Sequence, residues 1–212
     1  MNDAFPLDTV RATAAADQLQ LLHVGCGPAH PDKVPDAVFP RSTWREIRLD
    51  IDLRVAPDIA ASITDMPMVA SGSMDGVWSA HNLEHLSLGE VPLALSEFFR
   101  VLRPGGFAAM TLPDLQQVAA LIANGQLEDV AYNSALGPIT ALDMVYGFSK
   151  SISLGNHFMG HRTGFTATTL AGHLQRAGFV GVEVRRDGHY ALWAKGVKPV
   201  PSAGKDPGPA AA

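Results

Sequence analysis

Short apolar runs that alternate with helix-like segments are the feature that most constrains the fold of this chain. The run LQLLHVG, residues 19–25, is almost continuously apolar and ends in glycine, which is typical of a strand buried on both faces. Further strand-like runs follow at residues 44–52, 58–63, 74–80 and 107–112. FVGVEVR and YALWAKG, separated by the turn RDG, predict a closing antiparallel pair. The alternation predicts an α/β fold: a seven-stranded, mostly parallel sheet with an antiparallel last strand and helices on both faces.

Helix signals stand between these runs. Ser87 and Glu90 have the spacing of a capping box, and an apolar helical stripe follows them. Pro104 and the two glycines after it predict the end of that helix. Pro113 stands at the start of a second predicted helix, and Thr166 is placed to cap a third, ATTLAGHLQRAG.

The chain is expected to form one domain with peripheral segments. Its 212 residues, 47% of them hydrophobic, suffice for one sizeable core. We predict a single domain over residues 1–195, in which residues 1–18 form an N-terminal helix. Residues 125–164 are too long for a plain connection and are expected to form a lid or substrate segment. Residues 196–212, rich in proline, glycine and alanine, predict a disordered tail.

Charge and composition narrow the partners and the compartment. A net charge of −5 disfavours a nucleic-acid surface, which is normally basic. No apolar run reaches the ~18 residues of a membrane span, and the N-terminus lacks the pattern of a secretory signal. Cys26 is the only cysteine, which excludes an intrachain disulfide and suits a reducing compartment. We therefore expect a cytoplasmic protein without a nucleic-acid or membrane partner, and its oligomeric state is left open.

Two glycines directly after the first predicted strand indicate a ligand-binding loop. Ligands of such sheets bind at the carboxyl ends of the strands. Gly25 and Gly27 allow the backbone to approach a ligand closely. The stretch fails as a dinucleotide fingerprint because His30 stands where the third glycine is required, and four prolines within residues 28–40 prevent a full helix from starting there. A ligand without phosphate loses nothing by the missing helix N-terminus.

Five motifs stand in an order that resembles one enzyme family. They are LLHVGCGP, RLDID, PDIAASITDMP, SMDGVWSAHNLEHL and EFFRVLRPGGFAAMTLPD, and GHRTGFTATTLAGHLQRAGF is similar to a later element of a compact subgroup. Together they resemble the class I S-adenosylmethionine (SAM)-dependent methyltransferases over about residues 20–195. The resemblance implies a Rossmann-like fold, SAM as cofactor and methyl transfer as activity. Ala29 departs from the family, in which a third glycine is common.

The resemblance also implies roles for individual residues. Gly25, Cys26 and Gly27 would form the loop beneath the amino-acid portion of SAM. Asp50, with Asp52 as the alternative, would accept hydrogen bonds from both ribose hydroxyls, since a carboxylate offers two acceptor oxygens. The other implied cofactor contacts are Asp65 to the adenine amino group, Met66 against the adenine ring, and Ala80 and His81 near the sulfonium.

The stretch SAHNLEHLS contains His81, Glu84 and His85 in the H-x-x-E-H pattern of inverted zinc proteases. Zinc binding by this pattern requires both histidines on one helix face. Here a predicted strand ends directly before His81 and the next helix signal follows the motif, so the histidines straddle a loop. We therefore assign no metal. The open alternative is that this pair meets a second pair, His157 and His161, above the sheet.

Methyl transfer to a hydroxyl requires a base, and histidine has a suitable pKa. The catalytic candidates are His81, His157 and His161, and the substrate-binding candidates are Tyr146, His157 and Arg162. We predict a methyltransferase acting on an O or N atom of a small polar molecule; the suggestion of a sugar or polysaccharide precursor rests on the resemblance. The alternatives are a non-catalytic SAM-binding partner protein and a zinc-dependent hydrolase.

Overall fold

A computed structural model describes residues 18–201 of the chain. The predicted N-terminal helix lies outside the described residues except for Gln18, and so do residues 202–212 of the predicted tail. None of the helices within residues 18–201 has the length and apolarity that a membrane span requires.

A seven-stranded sheet forms the centre of the described part. The strands of residues 18–201 are β1 (Leu19–Val24), β2 (Trp44–Asp50), β3 (Ile59–Ala60), β4 (Met74–Ala80), β5 (Leu102–Pro113), β6 (Val130–Ser134), β7 (Gly137–Thr140), β8 (Val180–Arg186) and β9 (Ala191–Val197). The sheet has the order β3-β2-β1-β4-β5-β9-β8, and β6 pairs with β7 in a separate hairpin. β1 to β5 are parallel, whereas β9 runs antiparallel to both of its neighbours. The predicted mostly parallel sheet with an antiparallel last strand is confirmed.

Two of the helices begin later than the sequence signals predict. Those of the described residues are α1 (Val91–Val101), α2 (Leu115–Ala123), α3 (Ala141–Tyr146), α4 (Ser149–Ser153) and α5 (Ala167–Arg176). The Glu90 carboxylate accepts hydrogen bonds from the backbone amide and the hydroxyl of Ser87, so this pair forms a turn before α1. Pro113 ends β5, and Asp114 caps α2 by accepting from the amide of Gln116. Thr166 caps α5 as predicted.

Alternating side chains of the strands build a different core on each face of the sheet. Val77 and Met110 pack with the fully buried Leu95 and Phe98 of α1, each of which contributes roughly 1.5–3 kcal/mol by burial. Trp78 points to the other face. The aromatic side chains there are Phe39, Trp44, Trp78, Phe107 and Trp193. Within residues 18–201 no α-helix contributes to this second cluster; the proline-containing segment after β1 supplies Val34, Val38 and Phe39.

The C-terminal boundary lies beyond the predicted residue 195. β9 continues through Val197, and the Lys198 ammonium donates hydrogen bonds of 2.8 Å to the carbonyl of Phe99 and 2.7 Å to that of Leu102. Residues 196–198 therefore belong to the folded domain and not to a disordered tail.

The segment of residues 125–164 has structure of its own. It contains the β6–β7 hairpin, α3, α4 and a 3-10 turn, His157–Met159. A small core joins it to α2 through Val118, Ile139 and Met144. At its end, the amides of Arg162 and Thr163 donate to the carbonyl of Glu84, at 2.8 and 3.1 Å. The segment is thereby tied to the loop that follows β4.

Candidate active site

A cleft of about 450 Å³ opens where the loops after β1, β2, β3 and β4 meet residues 156–162. The chain order of the sheet reverses between β1 and β4, and such a switch point is where open α/β sheets bind ligands. The structure thus brings together the strand ends that the sequence singled out. The lining that matters for the following argument is Gly25, Gly27, Asp50, Asp52, Ser62, Ile63, His81, Asn82, His85, Asn156, His157 and Arg162.

The glycine loop requires glycine for a backbone reason. Gly25 and Gly27 have φ angles of +60° and +56°, a region that other L-residues avoid. A Cβ atom on Gly25 would lie 2.6 Å from the side-chain amide of Asn82. Cys26 does not face the cleft: its side chain is buried against a separate cavity beside His23, and burial raises the pKa of its thiol. Of the predicted loop, only the two glycines line the cleft.

The two carboxylates after β2 differ in the hydrogen bonds that they already accept. The Oδ2 atom of Asp50 accepts from the amide of Gly27 at 2.7 Å, and Oδ1 accepts from the amide of Asp52 at 2.9 Å. Each oxygen retains a second lone pair for a ligand. The Asp52 carboxylate is instead held by the Arg54 guanidinium, at 2.8 and 2.9 Å. Of the two, Asp50 therefore has the carboxylate with more capacity to accept hydrogen bonds from a ligand.

The structure does not bring the predicted adenine contacts of the TDMP motif, Asp65 and Met66, into the lining of the cleft. Met66 is fully buried in the core, and its amide donates to the Glu97 carboxylate at 2.7 Å. Asp65 is exposed and does not line the cleft, because a turn closed by its amide on the carbonyl of Ser62 directs it away. Ser62 and Ile63 line the cleft in their place. Ala80 also lies outside the lining and packs against the aromatic face of the sheet.

His81 stands at a strained position at the end of β4. Its φ is +48°, and its amide donates to the carbonyl of Thr111 at 2.8 Å. Its Nδ1 atom lies 3.3 Å from Oε1 of the buried Glu84. Partial desolvation lowers the pKa of His81, whose side chain is 54% exposed, but the hydrogen bond and charge of Glu84 raise it above its ordinary value. Burial likewise opposes ionisation of Glu84, yet His81 and the neighbouring imidazoles lower the pKa of this carboxyl.

The H-x-x-E-H stretch does not form a helix. Leu83–His85 is a single 3-10 turn, and His81 precedes it in the left-handed conformation. The two histidines therefore straddle a loop, as predicted, and do not share a helix face.

A second pocket of about 180 Å³ adjoins the cleft at His81, which lines both cavities. Tyr132 and Tyr190 stack in it with ring centroids 6.3 Å apart. The Asp187 carboxylate accepts from the indole of Trp193 at 3.0 Å. Tyr190, like His81, is a non-glycine residue with positive φ, at +61°. Strained backbone of this kind clusters at functional sites.

Comparisons with known proteins agree with this geometry. Residues 22–110 match a family model described as a methyltransferase domain. Over residues 22–110 the chain thus carries the sequence of a methyltransferase domain. The match runs from β1 through most of β5, and so includes the loops after β1, β2, β3 and β4. A search of curated proteins finds no match to the sequence.

Solved structures share the fold of this methyltransferase domain. A SAM-dependent methyltransferase from Archaeoglobus fulgidus has a TM-score of 0.57 at 13% identity, covering 85% of this chain and 86% of its own. The Burkholderia thailandensis 1,6-didemethyltoxoflavin-N1-methyltransferase, with its substrate and S-adenosylhomocysteine bound, has a TM-score of 0.54 at 16% identity over 86% and 72% of the two chains. Human N-acetylserotonin methyltransferase in complex with SAM has a TM-score of 0.54 at 14% identity over 85% and 48%. At these identities the likeness concerns the fold.

Of the other predicted site residues, the structure places two at the cleft and two away from it. His157 and Arg162 line the cleft, and Arg162 pairs with Glu90 at 3.2 Å. Tyr146 is 65% exposed and lines neither the cleft nor the second pocket. His161 also lines neither; its Nδ1 atom lies 3.0 Å from the carbonyl of Met144.

The sequence patterns did not identify several of the residues that line the two cavities. Asn82 and Asn156 each have a buried amide atom with no hydrogen-bond partner within residues 18–201, and both line the cleft. Asn82 directly follows His81, so its place after β4 was an available signal. Asp187, His189 and Tyr190 belong to the turn between β8 and β9, and nothing local indicates that this turn lies beside His81.

Proposed function

We propose that this chain is a SAM-dependent methyltransferase that transfers a methyl group to an oxygen or nitrogen atom of a small polar molecule. SAM is the cofactor of the methyltransferase domain. The observation that carries the proposal is the position of His81, which lines both the cleft and the adjoining aromatic pocket. A group at such a boundary can serve a reaction between a donor in one cavity and an acceptor in the other.

The chemistry of the cleft suits SAM. Asp50 offers two acceptor oxygens for the ribose hydroxyls, and the unpartnered Nδ2 of Asn82 beside Gly25 would donate to the carboxylate of the amino-acid portion. Only a 3-10 turn, Pro31–Lys33, follows the glycine loop, so the loop lacks the helix N-terminus that favours phosphate. SAM contains no phosphate, and this absence costs it nothing.

The second pocket supports a small acceptor. Its volume of about 180 Å³ is less than half that of the cleft, which is about 450 Å³. Stacked tyrosine rings and the Asp187 carboxylate together suit a polar ring such as a sugar or a polysaccharide precursor. We propose that residues 125–164 act as a lid, because residues 156–162 close one side of the cleft and Tyr132 lines the pocket.

Methyl transfer from SAM requires few contributions from the side chains of the protein. The SAM sulfonium makes its methyl group electrophilic, so the side chains must align the acceptor and remove its proton. His81 is the proposed base because of its place between the two cavities; His157, exposed on the cleft rim, is the second candidate. His161 is turned away from both cavities, and we do not assign it the role of base. The lone, buried Cys26 supports a reducing compartment, and we propose the cytoplasm.

A methyl-transfer assay tests the proposal. Purified protein is incubated with methyl-labelled SAM and a panel of sugars, nucleotide sugars and small amines. We expect label in at least one polar acceptor, and His81→Ala is expected to lower kcat by about 10²–10⁴-fold with little change in the Kd for SAM. Tyr146→Ala, which removes an exposed ring outside both cavities, is the matched control. Full turnover by His81→Ala would remove His81 as the base. SAM binding without transfer to any acceptor would favour a non-catalytic SAM-binding protein.

A further inference from the structure

We propose that Glu84, His85 and His161 form a binding site for a divalent transition-metal ion at the edge of the cleft. One potential ligand atom from each residue lies within 4.8 Å of the other two. The cluster joins one histidine of the H-x-x-E-H stretch to one of the later H-x-x-x-H stretch, and His81 is not among the three proposed ligands. It therefore differs from the protease arrangement in both its ligands and its fold.

Backbone carbonyls hold both imidazoles in the tautomer that leaves Nε2 as the metal-binding nitrogen. Nδ1 of His85 lies 3.2 Å from the carbonyl of Gly160, and Nδ1 of His161 lies 3.0 Å from the carbonyl of Met144. Carbonyl oxygens only accept, so each Nδ1 carries a proton and donates it. Each neutral ring then keeps a free lone pair on Nε2. A backbone carbonyl on the far nitrogen is the usual support of a metal-binding histidine.

Glu84 supplies an anionic oxygen with no other partner. Its residue is 1% exposed, and Oε1 lies 3.3 Å from Nδ1 of His81. Oε2 is buried and has no hydrogen-bond partner among the described residues. A buried, unpaired carboxylate oxygen costs free energy, because burial removes its hydration without replacing it. A cation bound between Glu84, His85 and His161 would replace the lost hydration.

The backbone holds these ligands together without any ion. The amides of Arg162 and Thr163 donate to the carbonyl of Glu84, at 2.8 and 3.1 Å. The amide of His161 donates to the backbone carbonyl of Tyr146 at 3.1 Å. The rings of His85 and His161 meet edge to face with centroids 4.9 Å apart. An ion would thus enter a preformed site and would not have to gather its ligands.

The donor set selects the class of ion. Two imidazole nitrogens and one carboxylate oxygen suit Zn²⁺, Mn²⁺, Fe²⁺, Co²⁺ or Ni²⁺, whereas Mg²⁺ and Ca²⁺ prefer oxygen ligands only. Three protein ligands leave coordination positions open. His85 itself lines the cleft, so an open position would be reachable from the cavity. Metal binding by this site does not depend on the proposed methyl transfer.

Metal titration of the full chain tests the inference. Protein stripped with a chelator is titrated with Zn²⁺ and Mn²⁺ by calorimetry and with Co²⁺ by visible absorption, which reports nitrogen and carboxylate ligation. We expect one ion per chain. His161→Ala and His85→Ala are each expected to weaken metal binding by at least about tenfold. Loss of a group that only supports a metal ligand already weakens metal binding by about 10- to 100-fold, and these variants remove a ligand itself. His157→Ala, in the same segment but outside the cluster, is the matched control and is expected to bind like wild type.

The outcomes separate this inference from the proposed function. The same samples are titrated with SAM, and SAM binding by His161→Ala shows that the variant is folded. Wild-type protein that binds SAM but none of the three ions at one per chain would overturn the metal site and leave the methyltransferase proposal standing. Equal metal affinity of wild type and His161→Ala would also overturn it, because the ion would then lie elsewhere.

Discussion

The carboxylate of Asp50 accepts a 2.7 Å hydrogen bond from the backbone amide of Gly27 and so joins the loops that follow two neighbouring strands. Its other oxygen accepts from the amide of Asp52 at 2.9 Å. One side chain therefore fixes the glycine loop after β1 and the turn after β2, and it retains lone pairs that face the cleft. The contact thereby holds two walls of the cleft in a fixed relation to each other.

Asp50→Asn is expected to weaken SAM binding by about 5- to 150-fold, as a loss of 1–3 kcal/mol implies. An amide has one oxygen, so in either orientation its NH₂ group faces one of the two backbone N–H donors. Calorimetric titration with SAM measures the effect, and circular dichroism checks the fold. Asp52→Asn is the control, expected to change the Kd less than about threefold because Arg54 already holds that carboxylate. A larger effect at Asp52 than at Asp50 would reverse the assignment of the ribose ligand.

Gly25→Ala is expected to destabilise the protein by about 1–2 kcal/mol, the cost of a left-handed conformation for a residue with Cβ, and to weaken SAM binding. The cause is the φ of +60° together with the Asn82 side chain, 2.6 Å from the new Cβ atom. Urea unfolding and SAM titration measure the two effects. Gly89→Ala, where a Cβ meets no atom within 4 Å, is expected to be neutral. Unchanged stability of Gly25→Ala would mean that the loop adopts another conformation in solution.

Asn82→Ala is expected to weaken SAM binding without destabilising the protein. The Nδ2 atom of Asn82 is buried without a partner, so its removal costs the ligand-free protein no hydrogen bond of that group. If it donates to SAM, the Kd rises by about 2- to 10-fold, corresponding to 0.5–1.5 kcal/mol, while the Tm of the free protein stays equal or rises. Asn133→Ala, at an exposed site on β6, is the control. A fall in Tm with an unchanged Kd would contradict a role for Asn82 in the cofactor site.

Glu97→Gln is expected to lower stability at neutral pH and to lose that effect in acid. The hydrogen bond from Arg100 holds the pKa of Glu97 below its ordinary value, against desolvation, and the amide of Met66 adds to it. Because folding lowers this pKa, the contribution is complete above the unfolded pKa of about 4.3 and is lost as pH falls through the lower folded pKa. Urea unfolding should show a loss of about 1–3 kcal/mol at pH 7 and a smaller one at pH 3.

The control for the acid effect is Glu183→Gln, which removes a 54% exposed partner of Arg185. Exposed pairs contribute about 0–1 kcal/mol, so this variant should follow wild type across the pH range. A difference between wild type and Glu97→Gln that stays constant from pH 7 to pH 3 would show that the carboxylate charge is not what stabilises the TDMP loop.

The fold was predictable where local pattern and burial coincide. Leu21, Leu22 and Val24 of β1 are buried on both faces, so the continuous apolar run signals a central parallel strand. The ends of the strands and helices were harder to predict from the sequence. Pro113 suits both the end of a strand and the first turn of a helix, and only the pairing of Pro113 with Ala191 of β9 places it in β5. Such a choice is made by contacts that lie far away in sequence.

The lining of the cleft was predictable at the strand ends, and it was not predictable where long-range contacts set the side-chain direction. Gly25, Gly27 and Asp50 follow strands, and parallel strands bring their carboxyl ends together. Met66 was misassigned because a carboxylate 31 residues later, that of Glu97, fixes its amide and turns it into the core. Tyr190 was missed because only the pairing of Thr111 with Trp193 brings its hairpin beside His81.

Calorimetric titration of the purified protein with SAM is the most direct test of the central claim, with Asp50→Asn measured in parallel. The expected result is one SAM per chain with a micromolar Kd, competition by S-adenosylhomocysteine, and clearly weaker binding by the variant. No heat of binding at millimolar SAM, from protein that circular dichroism shows to be folded, would contradict the assignment of this cleft to SAM.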